Sequence, residues 1–288
     1  MTVRGFNRLA ILPVLLCCCI VTVKAFDWPV ATSLLRHGFG TYRQGFMKGI
    51  EFSAAADAVL PVAPGELIFH AQGRQLAGGY PIVGGSLLVL AHAAAMTSVY
   101  TGLSAGAAGS VALFFDRSAA LGFVRSGVDG RNPVFYLYDV KEMRYINPIL
   151  VLPAIADERP PLFNSVTLRS AEGDVRLEAL TTIRQGVHEL IVDVVDPGIV
   201  GAAMMPLVLR LSINGVERLA WRQDGAWADA GRTRLFTGSG VLAASYHLDD
   251  GRIRLGSHTF NRGRSSINLT AIDQAGNRRD AAFALVVQ

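Results

Sequence analysis

Phe46-Met47-Lys48-Gly49-Ile50-Glu51-Phe52 is the stretch from which the first half of the chain is read. An aromatic residue leads, a Lys-Gly-Ile core follows, and an acidic residue stands four positions after Met47. Around it lie short apolar runs broken by glycine and proline: Ala58–Val62, Glu66–Phe69, Ser86–Leu90, Ser98–Leu103, Ala120–Val124 and Val134–Val140. None of them sustains a helical period, so the pattern is one of many short strands. Glycines at 38, 40, 45, 49, 65, 73, 78, 79, 84 and 85 punctuate the runs. Glycine is the residue that enters turns of positive φ without steric cost.

Taken in order, these pieces resemble the lysostaphin/LytM-type zinc endopeptidases of bacterial cell walls. Phe26-Asp27-Trp28-Pro29-Val30 is similar to that family's opening Trp-Pro strand, and Gly38-Phe39-Gly40 to the Phe-Gly turn before its first ligand. Asp57 to Leu67 resembles its Gly- and Val-containing hairpin, and Gly78-Gly79-Tyr80 with Ser86 to His92 its central strand. Thr97 to Leu103 stands at the Tyr-x-His-Leu element, Asn132 to Asp139 at the His-x-His strand, and Asn147-Pro148 at the closing Asn-Pro. The resemblance implies a Gly-rich antiparallel β domain over residues 26–155.

The resemblance also locates a zinc site, and there this chain departs from the pattern. The ligand positions hold Met47, Glu51 and Tyr136, and the positions that assist the attacking water hold Gly102 and Val134. A catalytic zinc takes about three N, O or S donors and keeps one open position. Glu51 offers an oxygen. Met47 offers a soft thioether suited to copper(I). Tyr136 would have to lose a proton at a pKa of about 10. Without zinc a water keeps its pKa near ~15.7 instead of ~7, so no nucleophile forms at neutral pH. The expectation is a pseudoenzyme with no metal and no cofactor. Phe46, Tyr80, Tyr100, Phe135, Tyr136 and Tyr138 would line or underlie the family's binding groove, with His92 beside it. Because strand residues alternate faces, about half of these belong to the core. His37, His70 and His92 have no His-x-His or His-x-x-x-His spacing, which counts against a relocated metal site.

Val151 to Pro161 is rich in proline and charge and predicts a short stiff connector, with the linker proper at 156–162. Beyond it alternation becomes regular. Leu207, Leu209, Leu211 and Ile213 share one face, Asn214-Gly215 signals a hairpin, and Val216 to Trp221 returns. Ile267, Leu269 and Ala271 share another face, and Asp273-Gln274-Ala275-Gly276-Asn277 is a turn before a last strand, Ala281 to Val287. With Val166–Leu168 and Val187–Val195 this makes about seven strands, an antiparallel sandwich over 163–288. The Ala-x-Asp-x-x-Gly-Asn turn resembles bacterial immunoglobulin-like modules found beside wall peptidases. The fold class expected of the whole is all-β. His188, His247 and His258 read as scattered surface residues. Arg252, Arg254, Arg262, Arg264, Arg278 and Arg279 read as a solvated face or a patch for an anionic wall polymer.

At the N-terminus Arg4 and Arg8 precede an apolar run from Leu9 to Val23, and Val23-Lys24-Ala25 suits a signal peptidase. Residues 1–25 therefore read as a signal peptide, with an uncleaved anchor as the rival and lipidation at a cysteine as a weaker reading; membrane contact would come only through this segment. All three cysteines, Cys17 to Cys19, fall inside it, so the mature chain would hold no disulfide. Cleavage would take the basic residues from 27 to 24 against 23 acidic ones. That balance offers nothing to attract nucleic acid. The functional expectation is an exported, periplasmic or extracellular protein that binds peptidoglycan or regulates a wall hydrolase. The alternatives are an active metalloendopeptidase with a non-standard site, and a structural envelope module.

Overall fold

The computed structural model describes residues 26–42, 45–53, 58–72, 86–103, 112–123, 132–198, 204–229, 232–235 and 242–288. The expected signal peptide, with Cys17 to Cys19, and Tyr80 lie outside them. The protein is all β: among the described residues the single α-helix is Ala243–Tyr246.

The glycine-broken runs of the first half assemble into one sheet around Val134–Asp139. One edge of that strand pairs with Met96–Leu103, and the sheet continues through Ser86–Ala91 and Gly65–Gln72 to Phe114–Phe115. Its other edge is shared end to end by two short strands. Ile50–Phe52 takes Phe135 and Val134, and Arg144–Ile146 takes Leu137, Tyr138 and Asp139. Leu35–His37 lies outside Ile50–Phe52. Alternation sorts the strand: Phe135 and Leu137 are buried, while Val134, Tyr136 and Tyr138 are half-buried on the opposite face. Ile50, Phe52, Leu88, Leu90 and Tyr100 join Phe135 and Leu137 in the first core.

The second half is a sandwich. A four-stranded sheet runs Gly173–Arg176, Leu162–Ser170, Gly186–Val195, Ile253–Phe260. A five-stranded sheet runs Leu180–Ile183, Arg278–Val287, Gly263–Ile272, Val208–Ile213, Val216–Arg222. Leu180–Ile183 joins its neighbour in parallel, the exception in otherwise antiparallel sheets. The Asn214-Gly215 hairpin forms as the dipeptide predicts, with φ of 53° and 78°. Val166, Leu190, Leu211, Trp221, Ile253 and Leu269 fill the second core.

A sheet crosses the 156–162 connector. Gly225–Asp229 and Arg232–Leu235 form a hairpin that leaves the sandwich and extends the first sheet, with Tyr145 opposite Ala226 and Ile146 opposite Gly225. The cores also exchange side chains. Phe39 and Phe46 lie in the second core and Met204 in the first. Each such burial stabilises by about 1.5–3 kcal/mol. The Gly38-Phe39-Gly40 turn is built for this junction. A Cβ on Gly38 would stand 2.7 Å from the Met204 Cε, and one on Gly40, at φ 88°, would overlap the Gln223 amide.

Two surface expectations are corrected. His188 and His247 are each 4% exposed, because their strand and turn positions face the second core. His247 stacks on Tyr42 at 4.8 Å and meets Phe46 and Trp221 edge to face. Of the six arginines, Arg262 and Arg264 are exposed, and the other four have partners. Arg252 pairs with Asp250, Arg254 with Glu189 and Arg278 with Asp280, and Arg279 donates to the Pro161 carbonyl.

Asn147 locks the junction. Its Nδ2 donates to the Gln223 carbonyl at 2.9 Å, its backbone N–H to the Asp224 carbonyl at 3.0 Å, and its Oδ1 accepts from the Ile149 N–H. Asn147→Ala leaves the buried Gln223 carbonyl without that donor, and we expect a loss of about 1–3 kcal/mol in urea unfolding. A change under 0.5 kcal/mol, roughly the range of an ordinary surface substitution, would contradict this role. Burial also lowers the pKa of His247 from its ordinary 6.5, against a raising contribution from the Ala243 carbonyl. Its contribution to stability is thus present above about pH 6.5 and is lost as pH falls through the depressed value. His247→Phe should therefore lose less stability than wild type between pH 7 and pH 5, measured by urea midpoints. Equal losses would refute the assignment.

Candidate functional site

The register brings Glu51, Val134 and Tyr136, three of the five positions singled out by the resemblance, onto one face of the first sheet. Glu51 lies opposite Val134, and Val134 lies opposite Thr101, the neighbour of Gly102. Tyr136 follows Val134 on the same face, two residues along the strand. Met47 stands just before this strand pair. Its backbone N–H donates to the Thr41 carbonyl, and its carbonyl accepts from the Gly40 N–H.

The structure gives most of these positions other contacts. A Glu51 carboxylate oxygen accepts a hydrogen bond from the Asn132 amide. The Tyr136 phenol is pushed above its ordinary pKa, first by burial and then by Tyr145 and by the negative charge of Glu51. It therefore stays a neutral phenol at any ordinary pH. Gly102 sits at φ 73°, and a Cβ there would press on the Pro133 Cα at 3.1 Å and the Asn132 carbonyl at 3.2 Å. The backbone thus resists any side chain at Gly102, a histidine included. Val134 carries no donor atom. This set does not fit zinc: one carboxylate already bonded, one thioether, one protonated phenol and two positions without donors. Among the described residues, no three histidine, cysteine, aspartate or glutamate donors converge on this face.

The face instead carries an aromatic strip. Tyr145 is the hub, with Tyr138 at 5.1 Å and Tyr136 at 6.1 Å between ring centroids, both edge to face. The Lys48 Nζ lies 4.9 Å above the Tyr145 ring, at cation–π distance. Burial lowers the Lys48 pKa and raises that of Tyr145. Toward Tyr145 the strip runs into the second core, where Ala226 is fully buried opposite that tyrosine. Val134, Tyr136, Tyr138 and Tyr145 are all half-buried. Tyr145, Lys48 and Asn132 were not expected at the site. Lys48 lies inside the diagnostic stretch, and Tyr145 returns one turn after Tyr138, but only the register places them together.

The groove residues separate. Tyr138 belongs to the strip. Tyr100 and Phe135 are each 1% exposed, opposite one another on the core face, so neither lines a groove. Phe46 packs on Phe39 and His247 and borders a different cleft of about 420 Å³, shared with Tyr42, Arg232 and Leu242. His92 sits at the far side of the sheet in a closed polar chain. Its Nδ1 lies 2.9 Å from the Pro64 carbonyl and its Nε2 2.6 Å from the Ser98 hydroxyl. Ser98 in turn hydrogen-bonds Tyr100, whose phenol oxygen accepts from the Val62 N–H. A serine beside a histidine suggests a nucleophile, but Ser98 is fully buried, and the chain satisfies buried polar groups instead.

A protein-family model matches residues 160–288, less than half of the chain. No curated protein matches it. Among solved structures, a zinc-containing peptidase from Vibrio cholerae is similar over 39% of this chain and 36% of its own, with 17% identity and a TM-score of 0.31. The extracellular domain of a one-component system from B. thetaiotaomicron is similar over 85% of this chain and 29% of its own, with 8% identity and a TM-score of 0.25. The chain thus spans 36% and 29% of the lengths of these two structures.

Any non-glycine residue at position 102 must hold positive φ against neighbouring backbone. Gly102→Ala should cost about 1–3 kcal/mol in urea unfolding. An unchanged midpoint would mean that the backbone there is not constrained as described.

Proposed function

We propose that this protein is a non-catalytic, exported relative of the LytM-type endopeptidases that acts by binding peptidoglycan or a peptidoglycan hydrolase. The observation that carries the reading is the combination on one sheet face. The register aligns Glu51, Val134 and Tyr136, and of the five positions at which the resemblance expects zinc chemistry only Glu51 carries a carboxylate donor, already bonded to Asn132. Three tyrosines and a lysine border that face, together with Glu51. Tyrosines offer broad contact area and a hydroxyl at low entropic cost, which suits recognition of a sugar-peptide polymer.

No step of peptide hydrolysis is assigned to these residues. Glu51 accepts from Asn132, and Tyr136 holds its proton. The localisation belongs to the same reading: the basic n-region, apolar run and Val23-Lys24-Ala25 of the sequence support export.

The test is co-sedimentation of the purified protein with intact sacculi, alongside a muropeptide-release assay with zinc and with chelator. We expect sedimentation without release. Tyr138→Ala should weaken sedimentation by roughly 2–10-fold, as one aromatic contact of about 0.5–1.5 kcal/mol would. Chelator-sensitive release would establish an active peptidase. Absence of binding both to sacculi and to wall hydrolases in an envelope pull-down would remove the proposal.

A further inference from the structure

Three aspartates far apart in sequence converge where the connector meets the sandwich. Asp157 comes from the connector, Asp196 follows the strand Gly186–Val195, and Asp273 opens the turn between the strands Gly263–Ile272 and Arg278–Val287. One carboxylate oxygen from each lies within 4.8 Å of the other two. Asp196 and Asp273 are 0% and 1% exposed.

Such a group is costly as it stands. Like charges at this spacing repel, and burial removes the water that would screen them. Among the described residues no lysine or arginine forms an ion pair with any of the three. Arg159 is the neighbouring cation, and its guanidinium donates to the Gly198 carbonyl at 2.6 Å. Asp273 is held by Asn277, whose backbone N–H and Nδ2 each donate to it at 2.8 Å. Asp196 Oδ1 accepts from the Gly198 N–H at 3.0 Å, and Asp157 Oδ1 accepts from the Arg159 N–H. That leaves Asp196 Oδ2 and Asp157 Oδ2, both buried and both without a hydrogen-bond partner. A carboxylate with one oxygen anchored and the other orphaned toward two more carboxylates has the form of a ligand awaiting a cation. The backbone makes room for it. A Cβ on Gly198 would lie 1.7 Å from Asp157 Oδ2, so glycine is required there.

We infer that Asp157, Asp196 and Asp273 bind one calcium ion, which ties the connector to the sandwich. The donors are all hard oxygens, the class that calcium and magnesium take and that zinc and copper do not favour. Calcium–oxygen distances of about 2.3–2.6 Å allow ligand oxygens up to roughly 5 Å apart, whereas magnesium at about 2.0–2.1 Å allows only roughly 4 Å. The spread of these carboxylates favours the larger ion. The three carboxylates lie close enough to repel one another strongly. A divalent ion relieves that repulsion. The site owes nothing to the sheet face described above and stands whether or not that face binds a wall polymer.

The experiment uses the full chain, stripped with EDTA and then titrated with calcium chloride or magnesium chloride, and reads heat of binding and thermal unfolding. We expect stoichiometric calcium binding, a rise in Tm of several degrees in millimolar calcium, and a smaller response to magnesium. Asp196→Asn should weaken calcium binding at least about tenfold, consistent with loss of one charged ligand among three. In EDTA the same variant should unfold no earlier than wild type, because it removes repulsion. That result separates a lost ligand from a damaged fold. The inference is overturned if wild type shows neither heat nor a Tm shift with calcium, if magnesium acts as strongly, or if Asp196→Asn responds like wild type.

Discussion

The aromatic nest at the junction of the two halves constrains everything else. Phe39 and Phe46 reach out of the first half, and Tyr42 stacks on His247, which itself meets Trp221. Two backbone bonds tie Met47 to Gly40 and Thr41. The stretch that leads to Glu51 is therefore fixed from both sides. Phe46 is anchored in the second core, while Ile50 and Phe52 are anchored in the first. Freedom at Met47 is small because two cores determine the chain only a few residues apart. Met47 is thereby part of a structural joint.

Much of the fold was legible because its signals are local. Alternation and turn residues marked the strands around Val134–Asp139, Met96–Leu103 and Gly263–Ile272 to within a few residues, and Asn214-Gly215 marked its hairpin. What stayed hidden depends on long-range pairing. The hairpin Gly225–Leu235 carries no mark that sends it to Arg144–Ile146. The parallel placement of Leu180–Ile183 is likewise set by its partner. His188 and His247 looked superficial because a lone histidine has no periodic signature, yet tertiary packing buries both.

The site was legible in part for the same reason. The resemblance to the LytM-type pattern implied one neighbourhood for Glu51, Val134 and Tyr136, and the register aligns Glu51 with Val134. The residues that now occupy those groups, Asn132 and Tyr145, could be identified only from the pairing of separate strands. Tyr100 and Phe135 were misplaced by one step of alternation, since each faces the core while Tyr136 faces outward. The three aspartates are the extreme case, because they join through no common motif. Only Asp273 lies in a recognisable turn.

The sharing of one strand edge by two partners bears on how the chain is made. Arg144–Ile146 finds its outer neighbour in Gly225–Asp229, about 80 residues later. During vectorial synthesis or export, the earlier residues would emerge with that rim bare and Phe39 and Phe46 uncovered. Bare strand rims recruit other chains. A nascent molecule is thus exposed to mispairing until its sandwich arrives, and a holdase that shields the intermediate would matter more to its yield than any single contact in the finished protein.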